Sequence, residues 1–366
     1  MADRPHIAFV QDHLVQRGGA ERGLLSMLKA APDADLYASF YDPDACYPEF
    51  RGLPIRTLAL DRIGVLRRHH RLALPLLPPS ISRWEVDADV VVCGTSGWAQ
   101  GVRTDGRKVV YSYALTRWLY ETEAYLRFRG VPARAVTSAI RPYLEKWDRK
   151  TMGSAHRYLT EGTVMRDRLR EIYGIEADIV PLPNSLDVDG SRRPVPDVEP
   201  GFFLCAARLV PYKNVDAVVS AFTQLPNERL VVAGDGPLSS ALRAMAPSNV
   251  RFNGVTPDDQ LRWLYANCAA NVSAAFEPFG LTPVEAAAFG KPSVVLRGGG
   301  FIDTVDEGET GMFFEEPTSV AVADAVRRFG RGGFASERIL GKAEEYAEWR
   351  FVERIREVIE EEAALV

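Results

Sequence analysis

The chain has 366 residues, long enough for two separate hydrophobic cores. Its 46% apolar, 10% aromatic and 25% charged residues exclude a disordered or fibrous protein. The 44 basic and 49 acidic side chains give a net charge of −5 and a pI near 5.7, which excludes a global basic field for wrapping nucleic acid.

Apolar runs of strand length alternate with amphipathic stretches from the start. His6–Val10 reads as the first strand and Ala20–Ala31 as a helix with Leu24, Leu25 and Leu28 on one face. Leu36–Phe40, Ile55–Leu60, Val90–Cys93, Val109–Tyr113 and Tyr158–Thr160 are further strands, with helices over Val131–Met152 and Thr163–Ile172. This is βαβ grammar, and it predicts a parallel sheet with helices on both faces. Pro181–Pro200, with five prolines and a glycine, reads as a linker. A second series follows, with strands at Phe202–Ala206, Leu230–Ala233, Val250–Phe252, Ala270–Ser273 and Ser293–Leu296. Its helices start near Asn214, Leu238, Asp258 and Leu281. The expected fold is α/β, two doubly wound halves with a ligand in the cleft at the strands' carboxyl ends.

No apolar run reaches the roughly 18 residues of a membrane span, and Met1–Pro5 leads into a strand without a signal-peptide plan. Cys46, Cys93, Cys205 and Cys268 form no CxxC pair and read as buried reduced thiols, the pattern of a cytoplasmic protein. The histidines offer no zinc spacing, and no metal is expected.

Four glycine-rich turns follow strands: Gly18-Gly19, Gly234-Asp235-Gly236-Pro237, Pro278-Phe279-Gly280 and Gly298-Gly299-Gly300. Such turns either bring backbone N–H groups to an anion or simply make tight corners. None completes a dinucleotide fingerprint, because Ser239 stands where the third glycine belongs. More telling are Arg208 and Lys213 just past one strand, and the carboxylates Glu277 and Glu285 eight residues apart past another. Thr282, Pro283 and Glu285 also fit a capping box at a helix start.

Together these segments resemble the retaining glycosyltransferases of family four, which have the two-domain GT-B fold. The resemblance is carried by GGAE (18–21), RLVPYK (208–213), GDGP (234–237), EPFG (277–280) and the E-x7-E pair Glu277/Glu285, followed by Gly290-Lys291-Pro292. ARLVPYKNVD (207–216) and FEPFGLTPVEAAAFGKP (276–292) look closest to GDP-mannose-using mannosyltransferases of O-antigen and exopolysaccharide assembly. One departure stands out: the histidine expected at the donor sugar is Tyr113. A sugar pocket of different shape is expected there.

The resemblance implies an N-terminal acceptor-side domain over 1–190 and a donor-binding domain over 191–347. A final helix, about 348–366, is expected to return to the first domain. It implies catalytic roles for Arg208, Lys213 and Glu277. It implies donor contacts from Gly18, Gly19, Gly234, Gly254, Val255, Phe279, Gly280, Leu281 and Glu285, and sugar or acceptor contacts from Tyr113 and Arg117. Two cations on the diphosphate suit the chemistry: at ~4 Å and an effective dielectric of ~20, one opposite charge is worth about 4 kcal/mol. The co-substrate would be a nucleotide diphospho-sugar, with no other cofactor, and the acceptor a glycan, a lipid-linked or a small molecule. D-x-D patterns, as at Asp33/Asp35, Asp42/Asp44, Asp87/Asp89 and Asp187/Asp189, are the competing metal signature and recur easily by chance. A basic segment, Arg62 to Arg71, precedes the apolar Leu72–Pro79 and suits either an anionic membrane at the cytoplasmic face or a solvated helix end. A nucleotide-sugar epimerase or coupling enzyme of this fold, or a non-catalytic sugar-nucleotide-binding subunit, are the alternatives.

Overall fold

Val90–Thr95 is buried along its whole length, and such a strand needs neighbours on both sides and cover on both faces. A computed structural model describes residues 4–120, 131–184, 186–330 and 333–366, the side chains of 70–71, 117–118 and 131–139 excepted. The chain divides into two units, 1–183 with 348–366, and 184–347.

The N-terminal unit is built on strands β1 (Ile7–Gln11), β2 (Asp35–Ala38), β3 (Ile55–Thr57), β4 (Val90–Thr95), β5 (Arg107–Ser112), β6 (Arg157–Thr160) and β7 (Asp178–Ile179). They lie parallel in the order 3-2-1-4-5-6-7, with Ile7 beside Val90 and Val10 beside Cys93. Alternate residues feed opposite faces. Ala8, Val10, Val91, Cys93 and Val110 join one cluster with Trp98 and Trp147. On the other face Tyr111 meets Phe351 edge to face, ring centroids 6.0 Å apart. Phe351 belongs to the Glu348–Ala363 helix, which lies on the Gly19–Ala30 helix. There Glu348 accepts from Ser26 Oγ (2.7 Å) and pairs with Lys29 Nζ (2.6 Å). Phe351, Ile355, Val358 and Ile359 are its buried stripe, whereas Trp349 is exposed beneath Arg350.

The C-terminal unit repeats the plan with β8 (Phe203–Ala206), β9 (Leu230–Ala233), β10 (Val250–Gly254), β11 (Ala270–Ser273), β12 (Ser293–Leu296) and β13 (Gly311–Phe314). All are parallel, in the order 10-9-8-11-12-13. Phe203 and Cys205 enter one core cluster while Phe202 and Leu204 enter the other. The stretch read as a linker is packed here: Leu186 and Val195 are buried against Leu264 and Tyr265, and Arg193 pairs with Asp259. The divide between units therefore falls between Pro183 and Asn184 rather than after residue 190. In each unit the strand order reverses beside the first strand, at β1/β4 and β8/β11, and ligands of open α/β sheets bind outside the carboxyl ends at such points.

Candidate active site

In the C-terminal unit the two loops leaving the β8/β11 switch point carry the residues of interest. β8 ends at Ala206, and a loop through Arg208 reaches a short turn of 3-10 helix, Pro211–Lys213. Asn214 follows in a left-handed conformation, φ +48°, and its Nδ2 donates to Ala274 O at 2.9 Å. That bond ties the loop after β8 to the loop after β11. Lys213 Nζ thereby meets Glu277 Oε1 in an ion pair, both side chains half-buried. Arg208 is exposed nearby in sequence, and Tyr212 lies under the Lys213 ammonium, 5.2 Å from ring centroid to Nζ.

Glycines hold both loops from behind. Gly234 sits at φ +132°, and a Cβ there would overlap Ala207 O. Leu209 N donates to Asp235 O (3.0 Å) and Leu238 N to Leu209 O (3.1 Å), so GDGP braces the Arg208 loop. Gly300 N donates to Glu277 O at 2.7 Å, and a Cβ on Gly300 would overlap Phe279 O. Two of the glycine-rich turns thus make tight corners that prop the loops carrying the charges.

The Leu281–Ala288 helix begins with Gly280 as its cap, and no side chain caps it. The capping box expected at Thr282 is not formed, because the helix starts before it. Glu285, freed from that role, accepts a hydrogen bond from Tyr265 Oη at 2.7 Å on Oε2. Tyr265 is fully buried, and burial together with Glu285 pushes its hydroxyl well above the ordinary tyrosine range, so it remains a donor. Phe279 is buried edge-on to Tyr346, Leu281 is half-buried, and Gly254 O accepts from Gly234 N at 2.8 Å. Val255, 77% exposed, lies just beyond.

The N-terminal unit has its own constellation at β1/β4. Gly18 caps the Gly19–Ala30 helix. Asp12 accepts from the backbone N–H groups of Ser96 (2.6 Å), Trp98 (3.0 Å) and Ala99 (2.7 Å); burial still raises its pKa. Trp98 Nε1 donates to Asp12 O (3.0 Å) and Ser39 Oγ (2.9 Å). His13 Nδ1 stands 3.5 Å from Glu21 Oε1. Tyr113 is 5% exposed, packed beside Tyr111 with its hydroxyl toward Met27 Sδ at 4.0 Å. Arg117 opens the short Arg117–Tyr120 helix, and its side chain lies outside the described residues. Asn214, Tyr265, Asp12 and His13 were passed over in the sequence. Their only signal is position, at or behind the strand ends of a switch point.

Residues 191–345 match the family described as glycosyl transferases group 1. A glycogen synthase of Mycobacterium tuberculosis is 28% identical over 232 residues, 59% of this chain and 54% of that protein. A GDP-mannose-dependent alpha-(1-6)-phosphatidylinositol monomannoside mannosyltransferase of the same organism is 29% identical over 191 residues, 44% of this chain and 49% of that protein. The chain thus spans about half the length of these curated relatives. Among solved structures, a sucrose-phosphate synthase of Thermosynechococcus elongatus superposes with a TM-score of 0.72 over 99% of this chain and all of that one, at 15% identity. HepE of Anabaena, solved with UDP and glucose, gives 0.70 at 16% identity, covering 99% of this chain and all of that one. The fold class is GT-B, two Rossmann-like parallel-sheet units.

Proposed function

We propose that the chain is a retaining glycosyltransferase that moves a hexosyl group, mannosyl in preference, from a nucleotide diphospho-sugar to a glycan, lipid-linked or small-molecule acceptor. The observation that carries this reading is the Lys213–Glu277 ion pair at the switch point of a unit whose residues 191–345 match the group 1 family. As the bond from the anomeric carbon to the diphosphate breaks, negative charge grows on the departing oxygens. Lys213 and Arg208 would stabilise that charge, and the Leu281–Ala288 helix N-terminus would add about half a unit of positive charge. Before substrate binds, Glu277 and Lys213 hold each other in place. On binding, Lys213 turns to the diphosphate and Glu277 to the sugar hydroxyls. Glu285, oriented by Tyr265, suits the ribose hydroxyls, and Gly254 and Val255 suit the base.

No divalent metal enters this reading. Two cations and a helix terminus serve the diphosphate in its place. The GDP-mannose-dependent relative supports a mannosyl donor. Docking on an anionic membrane, at the cytoplasmic face, is part of the proposal. Ile63, Val65, Leu72 and Leu76 are exposed beside Arg62 and Arg68, although no described helix is long and apolar enough to cross a bilayer.

The test is nucleoside diphosphate release from GDP-mannose, UDP-glucose and other donors, with and without acceptor and chelator. Release that needs acceptor, is fastest with GDP-mannose and ignores chelator is the expected result. No release from any donor, or sugar conversion without transfer, overturns the transferase reading. Complete, metal-reversible inhibition overturns metal independence.

A further inference from the structure

One buried tyrosine of the C-terminal unit ties together parts of the candidate site that lie far apart in sequence, and the chemistry above gives it no role. Tyr346 is 6% exposed. It stands just after the Ser336–Glu344 helix, which lies on the Leu281–Ala288 helix. Its backbone is fixed on both sides: Tyr346 N donates to Ala343 O at 3.0 Å, and Tyr346 O accepts from Asn184 N at 2.9 Å. The chain enters this unit at Asn184 and leaves it after Ala347, so the second bond joins entry to exit. Lys342 Nζ lies over the ring, 5.9 Å from its centroid, and is itself held by Asp306 (3.3 Å) and Glu345 (3.2 Å).

From that fixed base the side chain reaches two segments. The ring meets Phe279 edge to face, centroids 5.7 Å apart at 63°. The hydroxyl donates to Asp303 O at 2.8 Å, and burial, by pushing its pKa up, keeps it a donor. Asp303 belongs to the short Phe301–Thr304 helix, the wall against which Gly280 is set. Gly280 has φ +118°, and a Cβ there would come within 2.7 Å of Phe301 and 3.0 Å of Thr304 Oγ1. The same wall begins at Gly300, whose N–H holds Glu277 O. One side chain thus fixes the Phe279–Gly280 turn from the front and the wall behind it. Backbone donors stabilise a developing charge only when they are held in place beforehand, since a loose turn must be reordered each time.

We propose that Tyr346 is a positioning residue for the phosphate next to the donor sugar: it holds the Phe279–Gly280 turn so that the turn's N–H groups and the helix N-terminus meet that phosphate. This rests on the sugar-transfer reading, which puts Glu277, two residues before Phe279, on the sugar hydroxyls. The turn therefore serves the sugar-bearing phosphate rather than the one on the nucleoside. Glu285, given to the ribose, is held by Tyr265 instead. Loss of Tyr346 should be felt at the outer phosphate and not at the nucleoside.

The experiment compares calorimetric affinities of the full chain, as wild type, Y346F and Y346L, for GDP, GMP, UDP and UMP. Y346L should bind the wild type's preferred diphosphate about tenfold more weakly, and the matching monophosphate within about twofold of wild type. Y346F keeps the ring on Phe279 and loses the bond to Asp303, so it should weaken the diphosphate alone by about threefold. Should Y346L fail to fold, Y346F decides by the same comparison. Diphosphate affinity unchanged, or monophosphate affinity falling in step with it, overturns the proposal, and so does a variant that only melts earlier. Amide exchange at Gly300, measured without ligand, should speed in both variants; an unchanged rate overturns the hold on the turn and its wall. A wild type that binds none of the four nucleotides overturns the sugar-transfer reading itself, an outcome distinct from tight binding that Tyr346 does not affect.

Discussion

Lys213 carries a double demand: it anchors Glu277 at rest and meets the diphosphate in reaction. Lys213→Ala is expected to lower turnover by about 10²–10³, with Arg208→Ala alike and melting temperature nearly unchanged, as steady-state kinetics and thermal denaturation will show. Tyr265→Phe removes one buried hydrogen bond, about 0.5–1.5 kcal/mol of stability, and loosens Glu285. Its KM for the donor should rise more than its kcat falls. His13 provides the pH test of stability. A histidine whose folded pKa is raised adds stability that is complete below the unfolded value near 6.5 and fades as pH rises through the folded value. The melting difference between wild type and H13Q should therefore be larger at about pH 6 than at about pH 9. The charged residues of the C-terminal unit were legible because each loop keeps its spacing from a strand end. Asn214 and Tyr265 were not, because a lone asparagine or an aromatic in QLRWLYAN declares no role until β8 pairs with β11 and the helices close over them.

At the scale of elements, long apolar runs such as VVVCGT read correctly as strands, since burial on both faces leaves little room for other residues. β7 escaped the reading because its two residues are both exposed, and β13 because GMFF follows a run of charged and turn residues. The Leu281–Ala288 helix starts where its sequence places it, but the capping box at Thr282 does not form, because Gly280 takes the cap position. The segment from Arg62 to Leu76 is made of short helical pieces that leave Ile63, Val65, Leu72 and Leu76 uncovered. V65D/L72D should lose most binding to vesicles rich in anionic lipid, read by co-sedimentation, while donor turnover in solution persists. Wild-type binding should also weaken as salt rises.

At the scale of the whole molecule, the βαβ grammar announced two Rossmann-like units, but not how the chain divides between them. The N-terminal unit is discontinuous: residues 348–366 belong to it, yet they are synthesised after all of 184–347. Phe351, Ile355, Val358 and Ile359 cover a sheet face that must wait, bare, while the second unit is made. Assembly of the first unit thus depends on contacts of very high sequence separation, which fold slowly and expose apolar surface in the interval. The second unit is one continuous stretch and can condense as soon as it emerges. Truncation before Glu348 should speed amide exchange across β1, β4 and β5 and leave β8–β13 near their full-length rates. The order of synthesis and the order of completion are reversed in this chain: the unit begun first is the one finished last.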